Sequence, residues 1–265
     1  MKVWRSLCHY IIAHSAIICK FAAMASEKIT GIVTDVVRHN DRHNVVTLFT
    51  RDRGRMAFLS PTGTGRTAAM RRAGLQLLSL VEAEVNIRGD RDLQLLGRFS
   101  SPHTWSDIYF NPVKSAIAMF MAEFINNYCR HSGPDPQAWD FIVRSIHILD
   151  RSRRGTANFH IAFLISFLQT AGIFPDLENA SGSSWLDMQA GTATTLPPPH
   201  RDVVEPADMP ALMLLSRMNL ANYTRFRFSA GQRRRVLETL LKYYAIHFPG
   251  LTSLKSPKIL AEVFE

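Results

Sequence analysis

Arg51, Arg53 and Arg55 occupy alternate positions in "TRDRGRM", and Arg38, Arg42, Arg66, Arg71 and Arg72 flank them closely. Guanidinium groups crowded in this way repel one another unless water, salt or a polyanion screens them. Their planar forks of N–H donors match phosphate oxygens. From Lys28 to Arg72 nine basic residues stand against three acidic ones, in a chain whose formal net charge is +9. The chemistry on offer here is a grip on a polyphosphate.

Chemistry that makes or breaks bonds is harder to find. "SPTGTGRT" (60–67) invites a phosphate-loop reading, but Ser60 stands where the first glycine belongs and Arg66 replaces the lysine. His39 and His43 are four apart on a loop or strand end, where that spacing does not converge on a metal. His147 and His160 lie among apolar helical residues and read as core or boundary histidines. Cys129 adjoins Arg130 and His131, with no base or oxyanion site in view. The expectation is a protein that is not an enzyme and needs no cofactor. A second basic run, "QRRRVLETLLKYY", sets Arg233, Arg234 and Arg235 in the first turns of a helix, where positive charge opposes the dipole. That mismatch points to a counter-anion: a phosphate, an acidic peptide or simply Glu238.

The elements that must carry these residues divide by period. From Ile29 to Ser100 the pattern alternates every second residue, giving strands at 29–37, 45–50, 55–60, 75–87 and 92–99. A short Ala- and Arg-rich helix is expected over 65–74. Five strands with a helix between the third and fourth fit an OB-like barrel, which binds strands across its strand 2–3 face and through its 1–2 and 4–5 loops. Those loops are "RHNDRH" (38–43) and "RGDR" (88–91). Phe49 and Phe58 are the aromatic residues available for base stacking on strands 2 and 3.

From Asn111 the period becomes 3.6, with helices at 111–130, 137–152, 156–172, 207–218, 229–248 and 256–264. The 156–172 segment is apolar almost all round and reads as a buried central helix that stops at Gly172. The stretch 175–206 is an irregular insertion with a small hairpin around "SWLDMQAGTAT". The fold class is therefore α+β: an OB-like domain over 26–102, then an all-α domain over 103–265. Residues 1–25 are set apart as a leader, read either as signal-like or as the product of an upstream start with Met24 opening the protein. Three cysteines, Cys8, Cys19 and Cys129, are too scattered for a disulfide framework, and no apolar run is long enough to span a membrane.

The ordered parts resemble the RecO family of bacterial recombinational-repair proteins. The residues that carry the likeness are "FLISFLQTAGIFPDL" (163–177), "YYAIHFPGLTSLKSPKILAEVF" (243–264) with Leu254, Lys255 and Ser256, and "WLDMQAG" followed by "PPPH" and "EP". The resemblance covers about residues 24 to 265. It implies a cytoplasmic, nucleoid-associated mediator that binds single- and double-stranded DNA and anneals strands coated with single-strand-binding protein. It also implies work with RecR in loading the RecA recombinase, and a helical domain that takes the acidic C-terminal tail of single-strand-binding protein. Many members hold zinc through four cysteines in the segment matching 178–205. This chain has none there, so no metal is expected and packing must hold the segment. Arg38, Arg42, Arg51, Arg53, Arg55, Arg66, Arg71 and Arg72 are the DNA-binding candidates, and Arg233, Arg234, Arg235 and Lys255 the partner-binding ones. The rival expectation is an interaction scaffold that grips acidic peptides without binding DNA.

Overall fold

A computed structural model describes residues 26–87 and 92–264 of the chain, so the leader and the "RGDR" loop with Arg88 and Arg91 lie outside the described residues. Among the described residues two compact units emerge, one of 26–50, 56–87 and 92–103, the other of 51–55 and 104–264.

The first unit is a curled sheet. Its strands are β1 (Ser26–Arg38), β2 (His43–Thr50), β3 (Gly54–Pro61), β4 (Leu80–Asn86), β5 (Leu93–Leu95) and β6 (Phe99–Ser100), in the order β5-β3-β2-β1-β4-β6. Helix α1 (Arg66–Gly74) falls between β3 and β4. The curl comes from β1, which pairs with β4 through Ser26–Ile32 and with β2 through Gly31–Arg38. A register shift between Val33 and Asp35 marks a bulge at Thr34, whose hydroxyl donates to the Thr47 carbonyl at 3.2 Å. Bulges bend a strand and sharpen its twist. Gly31 lies where the strands come close: a Cβ there would lie 3.0 Å from the Leu48 Cβ, so any other residue would push that neighbour aside. Ile29, Val33, Val46, Leu48, Phe58, Val81 and Val85 fill the interior. On β4, Glu82, Glu84 and Asn86 alternate outward, as a half-buried strand requires.

The sheet has six strands where five were expected, because the 92–99 run breaks at Gly97 and resumes as β6, pairing Phe99 with Ala83. The parallel β3–β5 pairing is the one that lets an OB-like sheet curl toward closure. Leu75 and Leu78 are buried but belong to the turn before β4 rather than to the strand; Leu78 even adopts a φ of 64°.

The second unit contains α2 (Pro112–Tyr128), α3 (Pro136–Arg151), α4 (Phe159–Thr170), α5 (Met209–Leu215), α6 (Ala230–His247) and α7 (Ser256–Phe264). Helix α4 buries every residue from Phe159 to Leu168, as its uniform apolarity demands, and ends at Gly172 with a φ of 68°. Around it Phe124, Phe163, Phe167 and Tyr244 pack largely edge to face, and the Tyr244 hydroxyl donates to the Leu164 carbonyl at 2.6 Å. Entry to α2 is fixed by a buried ionic knot. The Lys114 ammonium reaches the Asp107 carboxylate at 2.7 Å and donates to the Asp150 carbonyl at 2.7 Å. The Asp150 carboxylate accepts from the backbone of Ser106, Asp107 and Ile108 and from the Ser106 hydroxyl.

The insertion forms a small sheet of β7 (Trp185–Asp187), β8 (Thr192–Thr194) and β9 (Val203–Val204), ordered β8-β7-β9. Leu186, Met188 and Val204 pack inward, and ionic contacts add to that packing. Asp187 accepts from the backbone of Gln189 and Ala190 and lies 3.2 Å from His200, while Asp202 pairs with Gln189 at 2.9 Å and with Lys242 at 3.3 Å. The donor set of this segment does not suit zinc: it has no cysteine, and among the described residues no three His, Cys, Asp or Glu side chains converge on a point.

Burial alone would raise the Asp150 carboxyl, but the N–H donors of Asp107, Ser106 and Ile108 outweigh it and hold the group below its ordinary value. Its stabilising contribution is therefore complete above the unfolded carboxylate range and is lost as pH falls through the lowered folded value. Replacing Asp150 with Ala leaves three backbone N–H groups without an acceptor, with an expected loss of about 3 kcal/mol. A urea-unfolding midpoint read by Trp105 fluorescence checks this.

Candidate nucleic-acid interface

The β1–β2 loop is shaped by Asn40, whose side-chain oxygen accepts from the N–H groups of Arg42 and His43 at 2.9 and 2.8 Å. This is a local turn that asparagine makes with its own backbone. Arg38 folds back onto Asp41 at 2.6 Å, with both side chains largely exposed. Thr62 then ties the loop to the segment leaving β3: its N–H donates to the Arg42 carbonyl and its hydroxyl to the Asp41 carbonyl, each at 2.7 Å. One residue on, the Gly63 carbonyl accepts from the Arg72 guanidinium at 3.1 Å. Gly65, with a φ of 88°, opens α1, whose N-terminus no side chain caps and whose first residue is Arg66. Arg38, Arg42, Arg66 and Arg72 thus gather, all exposed, around the short segment 61–66. A phosphate placed there meets guanidinium donors and the uncapped N–H groups of a helix start.

The remaining arginines of the basic tract go elsewhere. Arg71 is half-buried, lies over the Phe99 ring at 5.3 Å and donates to the Gly97 carbonyl at 3.4 Å, so it braces α1. The turn Arg51–Arg55 groups with the helical unit. Arg51 lies 3.6 Å from Asp140 and 4.0 Å from Asp52, and Arg55 donates to the Asn126 side chain at 3.4 Å. Between them Gly54 is buried with a φ of 66°, and a Cβ there would press on the Gly133 backbone at 3.0 Å. Arg53 is exposed. Phe49 and Phe58 are fully buried and offer no ring to a base. Strands 2 and 3 therefore offer a base no stacking ring from these two residues.

In the helical unit Arg233 donates to the Phe228 carbonyl at 2.6 Å and lies over the Phe264 ring at 5.5 Å. Arg233, Arg234 and Lys258 line a cavity of about 510 Å³ with Leu237, Phe264 and His160, and Glu238 and Glu262 lie on its wall as well. The Arg233 Nε and the His160 Nδ1 are buried there without a hydrogen-bond partner among the described residues. Burial, then the Arg233 charge, pushes His160 down to about 3. Arg235 faces a second, smaller cavity with Asp208 and Leu240. Lys255 acts through its backbone: its N–H, with the N–H and hydroxyl of Ser256, converges on the Glu123 carboxylate of α2. The "LKS" signature is thus the anchor of α7.

The described residues thus hold a curled OB-like sheet with an arginine rim and a helical unit with an apolar-walled cavity edged by charged side chains. Residues 24–101 match the family described as recombination protein O N terminal, and residues 109–257 match recombination protein O C terminal. The chain belongs to the RecO family. It is 31% identical to the DNA repair protein RecO of Phocaeicola vulgatus over 90% of this chain and 99% of that protein. Similar relatives are those of Bacteroides fragilis, at 31% over 90% of this chain and 99% of the relative, and of Porphyromonas gingivalis W83, at 32% over 89% and 98%. Among the described residues no helix is long and apolar enough to cross a membrane.

Two outcomes follow. Thr62→Val removes the hydroxyl link to Asp41 without changing any charge, and faster amide exchange over Asp41–His43 is expected. For His160, the unfolded chain binds more protons below about pH 6.5. Stability therefore falls with pH from there toward the folded value of about 3. His160→Phe should flatten that part of the stability–pH curve.

Proposed function

We propose that this chain is a non-enzymatic mediator of recombinational DNA repair. It binds single- and double-stranded DNA through the rim of Arg38, Arg42, Arg66 and Arg72. The observation that carries this reading is the gathering of four exposed arginines around Thr62–Gly63, with Asp41 as the one carboxylate paired to any of them among the described residues. Guanidinium groups on such a rim lower the repulsion between two phosphate backbones, which lets complementary strands approach. Contact with phosphates rather than base edges makes binding nearly blind to sequence. No bond is made or broken: Cys129 is buried, and burial raises its thiol to about 12, so it is a poor nucleophile.

The cavity lined by Arg233, Arg234 and Lys258 supports the second half of the proposal, capture of the acidic C-terminal tail of single-strand-binding protein. A peptide ending in an apolar side chain and a carboxylate would satisfy both the greasy walls and the orphaned Arg233 Nε. By family likeness the chain would then work in the cytoplasm, at the nucleoid, with RecR in helping RecA onto coated strands.

Labelled single-stranded DNA titrated across a salt series tests the rim. Four neutralised phosphates give a slope of about −3 in log K against log salt. Changing Arg38, Arg42, Arg66 and Arg72 together to Gln removes most of it, while Arg51→Gln and Arg55→Gln, which break Asp140 and Asn126 contacts, act mainly on stability. A rim variant with undiminished affinity and annealing would leave only the alternative, a scaffold for acidic peptides.

A further inference from the structure

We propose that the helical unit carries a second phosphate-binding site of its own, formed by Arg151, Arg153 and Arg154 at the end of α3 and by Arg225 and Arg227 before α6. This rests on the DNA-binding reading above and adds a separate contact to it.

The two segments are far apart in sequence and pinned together in space. Gly155 adopts a φ of 67°, and a Cβ on it would lie 3.0 Å from the Thr224 Cα, so the chains touch backbone to backbone. The Asn158 side chain donates to the Phe226 carbonyl at 2.7 Å, and Phe159 meets Tyr223 edge to face at 5.4 Å. Arg154 and Arg225 are the immediate neighbours of that contact, which holds their Cα atoms within about 12 Å of each other. In the nearly extended stretch that follows, Phe226 and Phe228 stack with centroids 6.2 Å apart, while Arg227 between them is exposed.

All five arginines are exposed, and none pairs with a carboxylate among the described residues. Local acids cannot neutralise them. Between Phe141 and Pro175 the chain has one acid, Asp150, and its carboxylate is turned inward and occupied by the donors of 106–108. From Met209 to Leu237 the chain has none. Exposed arginines carried on two pinned tips, with no carboxylate paired to them among the described residues, match the regular negative charge of a nucleic acid backbone. The exposure of every member also fits a rigid, charge-dense ligand better than a peptide side chain seeking a pocket.

The test uses the full-length chain, with Arg153, Arg154, Arg225 and Arg227 changed together to Gln, the same four changed to Lys, and the rim variant described above. Binding of a labelled single strand is measured across a salt series, with thermal melting recorded for each protein. The Gln variant should lose up to about 0.7 of slope per lost phosphate contact, about 2 to 3 in all, and the Lys variant should keep it. Oligonucleotides of about 10 nucleotides, within the site size of one OB fold, should saturate two sites on the parent chain and one on the Gln variant. If the rim variant loses its slope and the Gln variant does not, the second site is refuted while the rim stands. If only the Gln variant loses slope, the rim reading falls and the second site stands. Loss that Lys fails to restore, a lowered melting temperature in the Gln variant alone, or competition by an acidic peptide but not by DNA would each overturn the second site.

Discussion

Like charges gather on a protein surface only where the chain that carries them is held by something other than charge. At the rim that constraint is Thr62, whose N–H and hydroxyl fasten the carbonyls of Arg42 and Asp41 while the neighbouring Gly63 carbonyl receives Arg72. Neutral backbone groups thus set the spacing of the guanidinium groups. Because the links are short and local, the rim is formed before any ligand arrives, so little ordering entropy need be lost on binding. The curl of β1 about its Thr34 bulge and Gly31 brings the loop and the β3 exit to the same end of the sheet, making those links reachable.

Much of the fold was legible in the sequence because period-two and period-3.6 patterns are local. The first four strands, α1, the buried α4 and the hairpin near 185–194 all fall where side-chain alternation puts them. Ends were less legible. The apolar run at 75–79 looked like strand but forms a turn, since burial there comes from packing rather than from pairing. The break at Gly97 and the two-residue β9 were too short to leave a period. The network of Asp187, His200, Asp202 and Lys242 went unseen because its members are scattered over more than fifty positions.

The candidate site shows the same division more sharply. Eight arginines look alike in the sequence, yet Arg51 meets Asp140, Arg55 meets Asn126 and Arg71 meets Phe99. Only long-range structure separates a bracing guanidinium from a presented one. The tips at 151–154 and 225–227 had one readable signal, the lack of any acid from Met209 to Leu237. Their pairing depends on the Gly155–Thr224 contact, which no spacing rule reveals.

The Glu123 carboxylate gathers donors from Lys255 and Ser256, 132 and 133 positions later. During synthesis the ribosome delivers α2 long before those donors exist, so the carboxylate must wait in water until residues 255 and 256 have left the exit tunnel. The sheet unit, complete by residue 103, can settle while translation continues. Closure of the helical unit through Glu123 therefore trails the settling of the sheet unit.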